Sequence, residues 1–386
     1  MKRVVIAGGG FAGLEAAIDL KKAGFEVTLV SNRDYMYIYP VSIWIPTKER
    51  TFDETCIPLV DLQRAHGFDL VIDEVTAIRK EADAIELKNS GTMAYDYLIL
   101  AMGAGKMQHE GLEHTLSICG EPKVSMVIHD RLDALVKKGE GKIAFGFGGN
   151  PKDTSAVRGG PGFELMFNVH NYLKKLGIRE KFDLTFFAPM EKPGARMGEK
   201  SLKMMDKMFA MQNLGRRFGK KIKRFEADGV VFEDESRLDA DLTLYIPANA
   251  GHPVIRASEL PQNEAGFVTI NDHCEVEGSE NIYAVGDVAA IEGPQWRAKQ
   301  GHIAEIMARN AAFNIIAKEK GSDARKGYAE HLNILCVMDT GNGAAFVYRD
   351  DKKAMMIPML VVGHWMKRGW GVYCRLSKLG RFPRIL

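Results

Sequence analysis

Three glycines near the start of the chain have a spacing with chemical meaning. Gly8-Gly9-Gly10-Phe11-Ala12-Gly13 fits G-x-G-x-x-G, with the required glycines at 8, 10 and 13. In that spacing the first glycine makes a tight turn, the second lets a pyrophosphate approach the backbone, and the third lets a helix pack closely on a strand. Five cysteines stand at 56, 119, 274, 336 and 374, with no C-x-x-C among them. That scatter excludes the usual zinc spacings and a secreted disulfide framework, so no metal is expected. It leaves room for one or two cysteines with thiolate chemistry.

Glycines of this kind work only between a buried strand and a helix. Lys2-Arg3-Val4-Val5-Ile6-Ala7 is a short apolar run rich in β-branched residues, long enough for one buried strand. Leu14-Glu15-Ala16-Ala17-Ile18-Asp19-Leu20 is a strong helix former with apolar residues at helical spacing. The N-terminus of that helix presents unpaired N–H groups and a positive dipole end to the phosphates. Phe25-Glu26-Val27-Thr28-Leu29-Val30 reads as the second parallel strand of a βαβ unit. Dinucleotide sites place an Asp or Glu at the end of this strand for the ribose. Here Ser31-Asn32-Arg33-Asp34 stands there, leaving Ser31 and Asn32 to bond a ribose and weighing against NAD at this first site. Tyr35-Met36-Tyr37-Ile38-Tyr39-Pro40 reads equally as a wall over a flat cofactor and as core packing.

The whole chain has room for two or three domains at 386 residues. Its 46% hydrophobic and 26% charged residues are those of an ordinary globular protein, and a net charge of +2 makes no case for nucleic acid. A strand beginning at residue 2 leaves no space for a signal peptide, and no apolar run reaches the ~18 residues of a spanning helix. The expectation is a protein on the cytoplasmic side.

Two further motifs return to the first site. Tyr95-Asp96-Tyr97-Leu98-Ile99-Leu100-Ala101-Met102-Gly103 is a buried strand breaking at a glycine, and Asn281-Ile282-Tyr283-Ala284-Val285-Gly286-Asp287 is another, followed by a helix over about 300–317. With the opening glycines, this set resembles the flavoproteins built from two Rossmann-like domains, of the disulfide-reductase-like superfamily. The resemblance implies an α/β fold with two doubly wound, FAD/NAD(P)-binding type domains and FAD as cofactor. It implies that Gly8, Gly10, Phe11, Ala12, Gly13, Ser31, Asn32, Ala101, Gly103, Gly286, Asp287 and Lys299 line FAD, with Asp287 near the ribityl chain. The expected organisation is an FAD-binding domain in two parts (1–118 and 248–317), a second Rossmann-like domain (119–247) and a C-terminal region (318–386). In the second domain, the strand Lys142-Ile143-Ala144-Phe145-Gly146-Phe147 runs into Gly148-Gly149-Asn150-Pro151 and a polar insertion. The helix begins only near Gly160, and the later strand ending at Ala188 has no following acid for a ribose. An NADH site there looks degraded, which counts against type II NADH dehydrogenases.

The C-terminal third is similar to the sulfide:quinone oxidoreductases and to the flavoprotein subunit of flavocytochrome c sulfide dehydrogenase. Leu335-Cys336-Val337-Met338-Asp339-Thr340-Gly341 resembles the segment with a redox cysteine. Ala298-Lys299-Gln300-Gly301-His302 resembles the turn opening the helix under the isoalloxazine, Gly160-Pro161-Gly162-Phe163-Glu164 a Gly-Pro-x-x-Glu helix start, and Ser117-Ile118-Cys119 a segment whose cysteine in some members bonds the flavin. The resemblance implies that Cys336 takes up sulfide sulfur as a persulfide, Glu164 moves protons, Lys299 stabilises negative charge on reduced flavin, and Cys119 takes part. Cys56, Cys274 and Cys374 read as structural. One departure stands out: the family's second redox cysteine is replaced by Val157-Arg158-Gly159. Cys336 then works with another partner such as Cys119, or gives its sulfur to a small-molecule acceptor, or the substrate is not sulfide.

From Lys352 onward, Lys or Arg stand at 352, 353, 367, 368, 375, 378, 381 and 384 with no Asp or Glu after Lys352, interleaved with apolar and aromatic residues. This reads as an amphipathic segment lying in a membrane interface, with its cations on anionic headgroups; packing on the core or on a second copy is the other reading. The expectation is an FAD-dependent peripheral membrane enzyme that oxidises sulfide and reduces quinone. Its alternatives are a type II NADH:quinone oxidoreductase and a flavoprotein passing electrons to a protein partner. A homo-oligomer is compatible with either.

Overall fold

A computed structural model describes residues 1–385. Arg3–Ala7, buried at four of its five positions, is the centre of a five-stranded parallel sheet. Glu26–Ser31 pairs on one side and Tyr97–Leu100 on the other; Asp69–Ile72 and Ile282–Ala284 complete the edges. The last of these strands comes from far down the chain, so the sheet that carries the first site is completed by a segment nearly 280 residues from its start. An all-parallel sheet needs cover on both faces. The helix Phe11–Lys22 packs against Gly301–Glu319 beside the sheet, and an antiparallel excursion, Val75–Arg79, Ala84–Leu87 and Gly91–Ala94, precedes the return to Tyr97.

The second unit is a four-stranded parallel sheet in the order Gly215–Phe218, Phe182–Ala188, Gly141–Phe147, Leu242–Ile246. Val124–Lys138 packs on it, as does Gly160–Lys175. Its core is aromatic: Phe163 stacks on Phe186 with ring centres 4.3 Å apart, and Phe147 meets both edge-on. Two Rossmann-like sheets are thus present, as the motifs imply.

The third unit is a small antiparallel sheet, Ile334–Asp339, Ala344–Arg349 and Ala354–Met359, running straight into the helix Leu360–Lys378. Here the structure corrects the sequence. The cations of this helix do not face outward. His364, Lys367, Cys374 and Lys378 are buried, while Leu360, Val361, Val362, Trp365, Met366 and Val372 are exposed. The reason is ionic. Lys378 pairs with Glu15 and Glu305, and Arg384 with Glu15 and Asp19; Arg309 adds a third cation to Glu15. A fully buried carboxylate on the first helix keeps its charge only with partners. Burial works to raise Glu15, and these cations overcome it and hold the carboxyl below its usual value. The C-terminal segment supplies two of the three.

Candidate active site

At Gly8 and Gly13 the glycine turn is packed so tightly that only glycine fits. Gly8 has φ +124°, and a Cβ there would lie 2.3 Å from the Ala101 carbonyl oxygen; one on Gly13 would lie 1.8 Å from the Gly8 oxygen. Gly10, by contrast, faces open space. The helix after it has no side-chain cap and no acid in its first turn, so its leading N–H groups and dipole are free for an anion. Gly286 sits between Ala12 and Ala304 with φ +73°, presenting Asp287 beside that same helix start. Gly103, at φ +75°, turns the chain away after Ala101. Phe11 lies under Lys378, 5.9 Å from its ring centre. These residues fit a flavin dinucleotide. Two of the residues expected to line it are placed less directly. The Ser31 hydroxyl donates to the Arg33 carbonyl at 2.7 Å and is buried, and Asn32 is exposed at the tip of its turn.

Lys299 is buried, and its ammonium donates to the carbonyls of Asp287 (2.9 Å) and Ala289 while resting 3.4 Å over the Phe267 ring. Burial pushes it down to about 8. Its visible work is to fix the turn that presents Asp287. The Asp287 carboxylate pairs with Arg158, which Asp287 holds in the charged form; Arg158 Nε is buried without a partner. Arg158 also faces Cys119, whose thiol is raised by burial against the pull of Arg158 and Lys106. Lys106, itself lowered to about 8 by burial, donates to Asn249 Oδ1 at 2.7 Å. The segment that departs from the expected cysteine therefore brings a guanidinium between Cys119 and Asp287.

Cys336 lies in the middle of the strand Ile334–Asp339, opposite Val347. Burial first, then the charge of Glu164, pushes its thiol up to about 12, with Lys367 opposing. Glu164 is buried on the second turn of its helix. Its Oε1 accepts from the Asp339 backbone N–H at 2.7 Å and from Lys367. Burial raises the carboxyl despite that partner. Glu164 is also within electrostatic reach of Cys119, so one carboxyl lies near both candidate thiols, which remain unbonded to each other as free cysteines.

A second carboxylate stands beside it. Asp339 is fully buried; it accepts from Trp44 Nε1 (3.2 Å) and the Gly341 N–H (2.8 Å) and shares a hydrogen bond with His364 Nδ1 (2.7 Å). Burial opposes its charge, but the His364 and Gly341 bonds hold it below the usual carboxylate range. Asp339, His364, Lys367 and Trp44 escaped the sequence reading as site residues. Asp339 sits three residues after Cys336, and the 364/367 spacing of two basic residues on one helix face was the available signal.

In the second sheet, the loop after Gly141–Phe147 is filled by protein. Asn150 Nδ2 donates to the Asn249 carbonyl at 2.9 Å, and half-buried Arg196 donates to the Thr154 carbonyl at 2.6 Å. A Cβ on Gly159 would meet the Phe147 ring at 2.7 Å.

Comparison with known proteins agrees with this architecture. The chain is 27% identical to the sulfide-quinone reductase of Aquifex aeolicus over 373 residues, 90% of this chain and 84% of that one. It is 25% identical to the type II NADH:quinone oxidoreductase Ndh of Mycobacterium tuberculosis, over 75% of this chain and 68% of that one. The crystal structure of the sulfide:quinone oxidoreductase of Aquifex aeolicus superposes with a TM-score of 0.86 at 23% identity, covering 99% of this chain and 92% of that one. Residues 2–308 match the pyridine nucleotide-disulphide oxidoreductases, and the chain belongs to that family as an FAD-dependent oxidoreductase.

Proposed function

We propose that this enzyme oxidises sulfide at Cys336 and passes the electrons through FAD to a membrane quinone. The observation that supports it best is the joining of Cys336, Glu164 and Lys367 from three distant segments. A raised carboxyl and a buried ammonium there adjoin a thiol that must lose its proton to react. FAD, held by the glycine turn and Asp287, supplies the two-electron acceptor. The chain's own part is to bind hydrosulfide beside Cys336, form the sulfur–sulfur bond and take away the thiol proton at Glu164. The persulfide sulfur then leaves to a small-molecule acceptor; Cys119, sharing Glu164, is the intramolecular alternative.

The membrane is the proposed second partner. The exposed face of Leu360–Lys378, with Ile357 and Leu335 beside it, is apolar, while no helix among the described residues is long and apolar enough to cross a membrane. Such a face suits an interfacial helix near which a lipid-soluble quinone enters. A type II NADH:quinone oxidoreductase is the second reading, favoured by the Mycobacterium tuberculosis relative; the filled loop of the second sheet weighs against it. An anaerobic titration decides: sulfide should bleach the flavin and a soluble quinone restore it, while Cys336→Ser should abolish the bleaching. Bleaching by NADH alone refutes the proposal.

A further inference from the structure

Glu164 is enclosed, so a proton it accepts needs a way out, and the residues around it form one. Lys367 bonds Glu164, whose Oε1 also accepts from the Asp339 backbone N–H at 2.7 Å, so Asp339 adjoins the pair. Asp339 Oδ2 bonds His364 Nδ1 at 2.7 Å. The other imidazole nitrogen, Nε2, faces Glu49 Oε2 at 3.8 Å, a gap that a Glu49 movement of under about 1 Å converts into a hydrogen bond. Glu49 is partly open to solvent and is met by Lys175 at 3.1 Å and Arg368 at 3.6 Å. An imidazole with a carboxylate on each nitrogen accepts a proton on one side and releases it on the other. Among the described residues, the rings of Trp44 and Trp365 also lie against His364; Arg50, Lys367 and Arg368 lie over the Trp44 ring.

We propose that His364 relays the Cys336 proton from the Glu164–Lys367–Asp339 cluster to Glu49 and solvent. The inference rests on the sulfide reading above. The step is a proton transfer alone: the S–H bond of Cys336 breaks and Glu164 gains the proton; as the cluster hands a proton through Asp339 to Nδ1 of the Nε2–H tautomer of His364, the Nε2–H bond breaks toward Glu49, from which water removes the proton, and a turn of the neutral ring restores the tautomer. Each member then returns to its starting state. His364 touches neither substrate nor flavin; it acts through Asp339 and Glu164.

The test is anaerobic stopped-flow reduction of the flavin by sulfide, in light and heavy water, on the full chain with FAD bound. His364→Asn keeps a donor for Asp339 but cannot titrate, and His364→Ala leaves a space for free imidazole. The relay predicts that both variants retain flavin yet are reduced at least tenfold more slowly, with a larger solvent isotope effect. Added imidazole should restore His364→Ala, and reoxidation by quinone should be unchanged. Full speed in His364→Asn means that the hydrogen bond to Asp339 alone matters, and overturns the proposal. Normal reduction with slow reoxidation overturns it too, by assigning the groups to quinone. If both variants lose flavin, Glu49→Gln decides by the same criterion: slowed reduction supports the relay and unchanged reduction refutes it. A wild-type flavin that sulfide does not reduce removes the sulfide reading first and the relay with it, a result separable from any variant defect.

Discussion

Replacing Lys367 by Met isolates the energetics at the centre of the site. The two side chains of the Lys367–Glu164 pair are only 6% and 5% exposed, so water does little to replace the lost partner. Removing one member of such a pair costs about 3–5 kcal/mol when the other must stay charged. Glu164 keeps the Asp339 N–H bond at 2.7 Å, which places the expected cost near the lower end, about 3 kcal/mol. For 386 residues melting as one unit, at about 2 cal/mol/K per residue, that is a fall in Tm of roughly 4 °C. The pH dependence carries the diagnosis. Burial already raises the Glu164 carboxyl with Lys367 present, and its loss raises it further. An acid whose folded pKa lies above its unfolded value favours folding below the unfolded value and loses that support as pH climbs through the folded one. The variant should therefore nearly match wild type at about pH 4.5 and fall progressively behind as pH rises toward 8. Glu164→Gln on the same background removes the stranded charge and should recover most of the deficit at pH 8. Thermal melts of the four proteins across this range provide the cycle. A deficit equal at both pH extremes, or a double variant no better than Lys367→Met, refutes the assignment of a buried ion pair.

Two further outcomes test the cofactor cradle and the outer face. Gly13→Val places atoms where the Gly8 carbonyl oxygen lies 1.8 Å from an added Cβ, so the turn must open; the protein should purify without flavin colour or bind FAD at least about 100-fold more weakly by fluorescence titration. Val362→Glu with Trp365→Glu puts two charges on side chains that are 69% and 63% exposed. At roughly 1.5 kcal/mol or more for each apolar side chain removed from the contact, vesicle sedimentation should fall about 100-fold. Because Lys367, Lys378 and Arg384 are engaged in internal pairs, binding to neutral vesicles should nearly equal binding to anionic ones and depend little on salt; strong salt dependence would refute the apolar mode.

What was legible in the sequence follows from the range of the forces involved. The βαβ start was readable because strand, turn and helix are adjacent in sequence and each glycine answers a local steric demand, as Gly8 and Gly13 show. The return of Ile282–Ala284 to the edge of the same sheet was readable through its Gly-Asp ending, although the pairing with Tyr97–Leu100 is long-range. The orientation of the last helix was not readable. A run of cations interleaved with apolar residues has the same composition whichever face turns inward, and the usual preference sends charge to water. That preference is reversed here by carboxylates outside the run: Glu15 on the first helix, Glu164 on the helix Gly160–Lys175, and Glu49 in a turn between them. None of them looks unusual in its own window, and Glu15 reads as an ordinary helix former. The cost of burying Glu15 is met by charges from residues 294 to 369 positions away. Ion pairs across such separations leave no periodicity in the chain. The consequence is functional as well as structural. The charges that fold the C-terminal helix inward also gather Lys367, Glu164, Asp339 and His364 into one cluster and leave the helix's apolar face exposed.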